Sequence, residues 1–348
     1  MRLAVIALIL LAFNVQAENP KLYLKNIPIS NKLIIGVDLE AIIAFQEKFG
    51  VSEADGQIES FEDYLGIELS QLSSLLIAGS GDLANPKNDS AFLILKSKAP
   101  IFAEKVLHSG LKLRAGAKAQ ETKFNNHPVY IVQIPEVKQD IIEDVEAEEA
   151  VEVSFKKDVL LTNLTDDSLV LGGSKSIKEV LSTVKFDKML SVTSSSQMMK
   201  IMDDEPSLFF LAFSFEDFIS TTLGQMIALN PASQGVDFES INGMMFNLDY
   251  KEDKGLKLSL KFECYSTDAR IAFEGKIKQL RNQRKDHIKH GKVLLSGGAN
   301  VLKITYELKD DELKSMIEYT RDQMNGVSDD TGEELDEEED LDIPEEIE

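Results

Sequence analysis

The sequence predicts an α+β protein made of two related halves, each with a βαββαβ-like, ferredoxin-like order of elements. Three observations support this prediction. Apolar runs typical of strands alternate with runs at helical spacing, the same order occurs twice, and a helix closes each half. The chain has 348 residues, more than one compact core usually serves. We therefore expect antiparallel sheets covered by helices, followed by a disordered acidic tail.

The N-terminal half begins with a strand at residues 33–37 and a helix whose apolar positions continue to Phe49. Asp38 lies between them and is a suitable helix N-cap. A later helix opens at Pro100, and the half closes with a helix at 176–184. The remaining strands of this half are predicted at 75–79, 91–96, 118–124, 129–134, 151–162 and 169–171.

The C-terminal half repeats this pattern. A phenylalanine-rich strand at 209–213 precedes Ser214 in the cap position of the next helix. The residues at 257–262 alternate between polar and apolar, which is typical of a sheet with one solvated face. The later elements are predicted as strands at 243–250, 256–265 and 301–308, with helices starting at about 267 and spanning 310–324.

The start of the chain predicts export. Met1 and Arg2 precede an apolar run at 3–13. Val15 and Ala17 then provide an aliphatic and a small residue at the minus-three and minus-one positions, so a signal peptidase is expected to cut after Ala17. The run is too short to cross about 30 Å of hydrocarbon as a helix, so no transmembrane segment is expected in the mature chain. Cys264 is the single cysteine, which excludes an intramolecular disulfide. We therefore predict a periplasmic or extracellular bacterial protein.

Two segments carry most of the negative charge. Residues 329–348 have a net charge of −13, and residues 136–152 have a net charge of −7. Dense like charges repel and offer little apolar surface to bury. The predicted organisation is a signal peptide (1–17), an N-terminal α+β domain (18–186) with an acidic insertion (136–152), a linker (187–206), a C-terminal α+β domain (207–326) and a disordered acidic tail (327–348).

Two motifs carry a family resemblance. The pattern DSLVLGGS at 167–174 precedes a helix, and PSLFF stands at 206–210. Together with the exported start, these motifs resemble large sets of secreted bacterial proteins of unknown function with duplicated α+β halves. The resemblance covers most of the mature chain and implies a fold and a location, but no activity.

No catalytic, cofactor-binding or metal-binding residues are predicted. The chain has four histidines and one cysteine, too few for a Cys-rich metal site. His287 and His290 would share a helix face, but two ligands do not form a site. The sequence therefore implies neither a cofactor nor a metal.

The strongest local positive charge lies at 276–292, with a net charge of +6. Apolar residues run through it at helical spacing, so one face of a helix is expected in the core and the other in solvent. Arg281, Arg284 and Lys285 are the predicted anion-binding residues. Nucleic acid is not expected as the partner, because no aromatic residues interleave with the charges. An anionic envelope or extracellular partner fits better.

These observations favour an exported, non-enzymatic binding or envelope-assembly protein, whose ligand the sequence does not identify. The alternative is an exported hydrolase whose Asp and Glu acid–base residues only the fold would bring together. A buried pair of carboxylates with a raised pKa, in a cleft between the halves, would favour the hydrolase. A flat sheet face without such a pair would favour binding.

Overall fold

The structure of the chain is a computed structural model. It describes residues 24–49, 67–80, 90–109, 118–136, 154–186, 191–202, 207–215, 225, 237–252, 254–283 and 291–326.

Twelve strands in these ranges form one sheet, and every pair of neighbouring strands is antiparallel. Its strand order is β11-β12-β10-β9-β8-β1-β2-β3-β7-β6-β5-β4. The strands are β1 (Leu33–Asp38), β2 (Leu72–Gly79), β3 (Phe92–Ser97), β4 (Lys118–Phe124), β5 (His127–Glu136), β6 (Ser154–Thr165), β7 (Ser168–Gly172), β8 (Phe209–Ser214), β9 (Ile241–Lys251), β10 (Gly255–Cys264), β11 (Lys292–Gly298) and β12 (Val301–Leu308).

Helices pack on both faces of this sheet. Those described are α1 (Leu39–Phe49), α2 (Ala103–Ser109), α3 (Ser174–Phe186), α4 (Ser196–Ile201), α5 (Thr267–Gln283) and α6 (Asp310–Gly326), with short 3₁₀ turns at Leu69–Gln71, Val192–Ser194 and Phe238–Ser240. The chain is therefore an α+β protein, as the alternation of periodicities predicts.

We name the two sheet faces after the helices that close the two halves. On the α3 face, strand residues such as Leu76, Ile94 and Val170 share a core cluster with Ile177 and Val180 of α3. On the α6 face, side chains of α1, α2, α5 and α6 pack in three further clusters. Since side chains alternate along a strand, each strand contributes to both layers.

The two halves meet at β1 and β8 in the middle of the sheet. Leu33 pairs with Phe213 and Ile35 with Leu211 in this antiparallel register. Gly36 lies opposite Phe210, and a Cβ atom at Gly36 would overlap the Phe210 ring. One continuous hydrogen-bonded sheet therefore runs through both halves.

The strand order differs from the ferredoxin-like prediction. A split βαβ unit places another strand between the two strands that a helix connects. Here β1 and β2 flank α1 and pair directly, with Leu33 opposite Gly79. Each half instead runs β1-β2-β3 or β8-β9-β10 in chain order before the next strands join. Periodicity indicates elements, whereas this pairing depends on contacts distant in sequence.

Most predicted elements within the described residues are present, with ends shifted by a few residues. Two elements do not follow from the sequence pattern: β11, which begins at Lys292, and α4, which lies in the predicted linker. Part of that linker is folded, since Ser191, Val192 and Ile201 are fully buried. The predicted domain limits remain predictions. The predicted signal peptide, the helix after Ser214, nearly all of the acidic insertion and the tail lie outside the described residues.

Candidate functional site

The α3 face becomes polar in the C-terminal half. Across β9, β10 and β12, one row of opposed residues is Asn247, Ser259 and Thr305. The rows on either side are Met245, Lys261 and Lys303, and Asp249, Lys257 and Glu307. We call the central part of this surface the lysine face, defined by Asn247, Lys257, Ser259, Lys261, Lys303 and Thr305.

Two lysines of this face lie directly opposite each other. Lys261 on β10 pairs in register with Lys303 on β12, and both are half-buried. Opposed residues in an antiparallel pair have Cβ atoms about 4.5–5.5 Å apart, and like charges at that spacing are destabilising. The pair therefore concentrates positive charge at one point of these rows.

Two buried polar atoms lie in the neighbouring row. Asn247 and Ser259 are directly opposite each other and are only 4% and 2% exposed. Among the described residues, Asn247 Oδ1 and Ser259 Oγ are the buried side-chain atoms without a hydrogen-bond partner. Such atoms cost free energy unless something pairs with them. They add an unused acceptor and an unused hydroxyl beside the lysine pair.

A buried carboxylate borders the lysine face. Glu263 is 1% exposed. It accepts hydrogen bonds from Lys200 Nζ of α4 at 2.9 Å, Asn242 Nδ2 at 3.2 Å and Asn300 Nδ2 at 3.3 Å. Glu263 thus joins α4 to β10 and to the β11–β12 turn, which fixes this end of the surface.

A second buried carboxyl lies at the junction of the halves. Asp38 is 5% exposed, and its Oδ1 accepts a hydrogen bond from the Ala41 N–H at 2.8 Å, as expected of a helix cap. Burial, and secondarily the nearby Glu40, raise the pKa of Asp38 to about 8. Glu40 itself forms an ion pair with Lys98 at 3.0 Å.

The structure describes one of the three predicted anion-binding residues. Arg281 is exposed near the end of α5, whereas Arg284 and Lys285 lie outside the described residues. Phe273 of the same helix packs in the core, as the helical spacing predicts. The basic segment is not one continuous helix, because α5 ends at Gln283 and Lys292 begins β11. Anion binding by these residues remains a prediction.

Two small cavities lie elsewhere. One, of about 330 Å³, is lined by Pro28, Ile29, Ser30, Lys178, Glu179, Ser182 and Thr183. The other, of about 210 Å³, is lined by Lys48, Phe49, Lys314, Ile317 and Glu318. Beside the second, Tyr250 contacts Lys48 and donates a hydrogen bond to Asp310 at 3.0 Å. This cluster ties α1 to β9 and α6.

Two kinds of feature are absent from the described part of the chain. No group of three or more His, Cys, Asp and Glu side chains there could hold a metal ion. Within the same ranges, no helix combines the length and the apolar character that crossing a membrane requires.

The lysine face could not be recognised as a site from the sequence. The alternation at 257–262 does predict that Lys257, Ser259 and Lys261 share one solvated face. Nothing local indicates that Lys303 lies opposite Lys261, or Asn247 opposite Ser259, because these registers join distant segments. The local indication in the sequence is that Ser259 stands between Lys257 and Lys261 on one face of the predicted strand.

No protein-family model matches this chain, and no curated protein matches it.

Proposed function

We propose that this chain is an exported, non-enzymatic binding or envelope-assembly protein that holds an anionic partner on the lysine face. The export part of the proposal is supported by the sequence of residues 1–17. The binding part is supported by the opposed Lys261 and Lys303 and by the buried polar row beside them.

We also propose that the two halves descend from one duplicated unit, although not a ferredoxin-like one. The strand order β8-β9-β10-β12-β11 corresponds to β1-β2-β3-β7-β6. In this correspondence Asp38 matches Ser214, each at the end of the first strand of its half. Strands β4 and β5 would then be additions to the N-terminal half.

The main support for the proposed function is a difference in polarity between corresponding strand positions of the two halves. The N-terminal row is Leu76, Ile94 and Val170, which α3 covers. The corresponding C-terminal row is Met245, Lys261 and Lys303. The closing helix α6 instead packs on the opposite face. The C-terminal row therefore bears two half-buried lysines where the N-terminal row is apolar, and local positive charge favours an anionic partner.

The hydrolase alternative has one observation in its favour, the raised pKa of Asp38 at the junction of the halves. However, Asp38 caps α1 and Glu40 is paired with Lys98. The residues that line the two described cavities include neither carboxylate. Catalysis would require a second, available carboxyl group, so binding is the better-supported function.

The test is a charge reversal on the lysine face. The double variant Lys261→Glu with Lys303→Glu is expected to lose about tenfold or more in affinity for dextran sulfate at low salt. A matched control reverses Lys175 and Lys178, two exposed lysines of α3 outside both basic surfaces. Binding is measured by calorimetry, and circular dichroism checks folding. An equal loss of affinity in both variants would mean that only the net charge of the protein matters, and it would refute the proposal.

A further inference from the structure

Among the described strands, β11 and β4 form the two edges of the sheet. Residues 292–298 of β11 pair with residues 301–307 of β12 in unbroken register. On its other side, β11 has no neighbour among the described strands. An edge strand presents unpaired backbone N–H and C=O groups, to which a strand of another chain can add.

The backbone of β11 directs three residues toward its open side. Gly298 and Val301 flank a two-residue turn, and in such a hairpin the flanking pair exchanges hydrogen bonds. Hydrogen-bonded and non-hydrogen-bonded pairs alternate along an antiparallel ladder. The N–H and C=O groups of Val293, Leu295 and Gly297 therefore point away from β12.

Side chains of two helices hold both ends of β11 in place. Glu312 of α6 accepts a hydrogen bond from the Gly291 N–H at 3.2 Å, directly before the strand. Arg270 of α5 donates a hydrogen bond from Nε to the Ala299 carbonyl oxygen at 3.0 Å, directly after the strand. A strand that is already fixed loses little conformational freedom when a partner binds to it. The backbone groups of this edge are therefore preorganised for pairing.

The two edges of the sheet differ in their side chains. Natural proteins protect edge strands with charged residues, prolines or bulges. Strand β4 has charged residues along its length, namely Lys118, Glu121 and Lys123. Strand β11 has only Lys292, its first residue, and continues with the uncharged sequence VLLSGG. Leu294 in this sequence is 37% exposed. Strand β11 thus lacks the protection that β4 carries.

We infer that two copies of this chain associate by antiparallel pairing of their β11 strands about a twofold axis at Leu295. In this register, Leu295 lies opposite its own counterpart, and Val293 lies opposite Gly297 of the second copy. The outward-facing N–H and C=O groups of all three residues then have hydrogen-bond partners. The contact is the same on both copies, so the assembly closes as a dimer. This inference goes beyond the proposed function and does not depend on anion binding.

The charges on the two edges favour a second copy at β11. In the proposed register Lys292 lies opposite Gly298, so no two like charges are directly opposed. Self-pairing of β4 about its central residue would instead place Glu121 opposite its own counterpart, which is unfavourable. The sheet already contains an edge-to-edge contact of the same kind, where β1 of one half pairs with β8 of the other in antiparallel register.

A lysine in the middle of β11 should weaken the dimer. Sedimentation velocity of the full chain, at about 0.15 M salt to screen the net charge, is expected to show a dimer fraction that rises with protein concentration. Leu294→Lys is expected to raise the dissociation constant about tenfold, because the added charge enters the interface twice. The matched control is Thr122→Lys, which adds the same charge at an exposed position of β4 and should leave association unchanged. Circular dichroism checks that both variants fold.

Introduced cysteines test the register directly. The single native cysteine, Cys264, is buried, so it does not compete. A mixture of Leu294→Cys and Ser296→Cys chains is expected to form a disulfide-linked dimer under mild oxidation, because these positions are directly opposed in the proposed register. Each variant alone should cross-link several-fold less, since its two cysteines would be diagonal neighbours about 7–8 Å apart, beyond the usual Cα separation of a disulfide. Non-reducing electrophoresis measures the cross-linked fraction.

Several results would overturn the inference. These include a chain that sediments as a monomer at every concentration, and equal cross-linking of the mixed and the separate cysteine variants. Pairing of β11 with β4 of a second copy would give open-ended assemblies, which Thr122→Lys would weaken as much as Leu294→Lys does. Dimers that form only after truncation at Ser328 would mean that the acidic tail occupies the edge instead. The proposed function is tested separately by dextran sulfate binding, so either proposal can fail without the other.

Discussion

Asp38 caps a helix and is also a buried ionisable group. Its side chain caps α1, and its backbone N–H donates to the Leu208 carbonyl of the other half at 2.8 Å. Burial first, and Glu40 second, raise its pKa from 3.8 to about 8. Between these two pH values the folded protein holds a proton that the unfolded chain releases. The free energy of unfolding therefore falls as pH rises across this window.

Replacing this carboxyl should remove the pH dependence that it causes. In Asp38→Asn the amide oxygen can still cap α1, and no charge is buried at position 38 at any pH. We expect the variant to be more stable than the parent at pH 8, by a few kcal/mol since one pKa unit corresponds to about 1.4 kcal/mol, with little difference near pH 4. Urea unfolding at several pH values measures this. Identical pH profiles of variant and parent would contradict it, and Asp158→Asn, at an exposed site, is the control.

The sequence predicts that Asp38 caps α1, but it does not predict that the Asp38 carboxyl group is buried. Asp38 follows an apolar strand and precedes apolar residues at helical spacing, so its capping role follows from local pattern. Its burial arises because Leu208 and the neighbouring strands β2 and β8 enclose it. Those partners are distant in sequence, so periodicity carries no information about them.

At the scale of elements, the junction of β1 and β8 depends on one glycine. Phe210 is fully buried and lies across Gly36, where any side chain would overlap the ring. The ring also belongs to the core cluster that contains Ile34, Leu76 and side chains of α3. The junction therefore fits only when position 36 lacks a Cβ atom.

Adding one methyl group at this junction should be costly. Gly36→Ala is expected to lower the free energy of unfolding by about 1–3 kcal/mol, because the packed ring must move. The control is Gly275→Ala in α5, where nothing lies within 4 Å of the position that the added methyl group would occupy. It should instead raise stability by up to about 1 kcal/mol, since alanine favours helix. Chemical denaturation compares both, and equal effects would disprove the junction argument.

The elements themselves were largely predictable, and their arrangement was not. Apolar runs and alternation indicate every described strand except β11, whose start at Lys292 continues a basic pattern with helical spacing. Gly291, with a φ of 76°, directly precedes β11 and allows the turn into it. The order within the sheet depends on pairings such as Gly36 with Leu76, which local pattern cannot supply.

At the scale of the whole molecule, the closing helices make the two halves unequal. Helix α3 covers its half on one face of the sheet, and α6 covers its half on the other. The alternation at 257–262 predicts that its charged residues share one strand face, but this face is not the solvated one that was expected, because Ser259 on it is only 2% exposed. That the closing helix packs on the opposite face from this row could not be predicted, because both helices follow their last strands in the same way.

We expect the acidic tail to affect anion binding by the folded part of the chain through its negative charge. Residues 329–348 carry a net charge of −13 and follow α6, so their local concentration near the folded body is high. We expect the tail to compete with external anions for the basic surfaces. Exposed ion pairs contribute only about 0–1 kcal/mol each and are screened over about 10 Å at 0.1 M salt. Its contacts should therefore be weak and sensitive to salt.

Truncation after Ser328 should strengthen dextran sulfate binding at about 20 mM salt and have little effect at about 300 mM, where screening is much stronger. The thermal midpoint should stay the same or rise slightly, since charge repulsion is relieved. Reversing Lys261 and Lys303, or separately Arg281, Arg284 and Lys285, in both chain lengths shows which surface the tail occupies. The surface whose reversal abolishes the gain from truncation is the one that it covers. An affinity unchanged by truncation at both salt concentrations would mean that the tail covers neither.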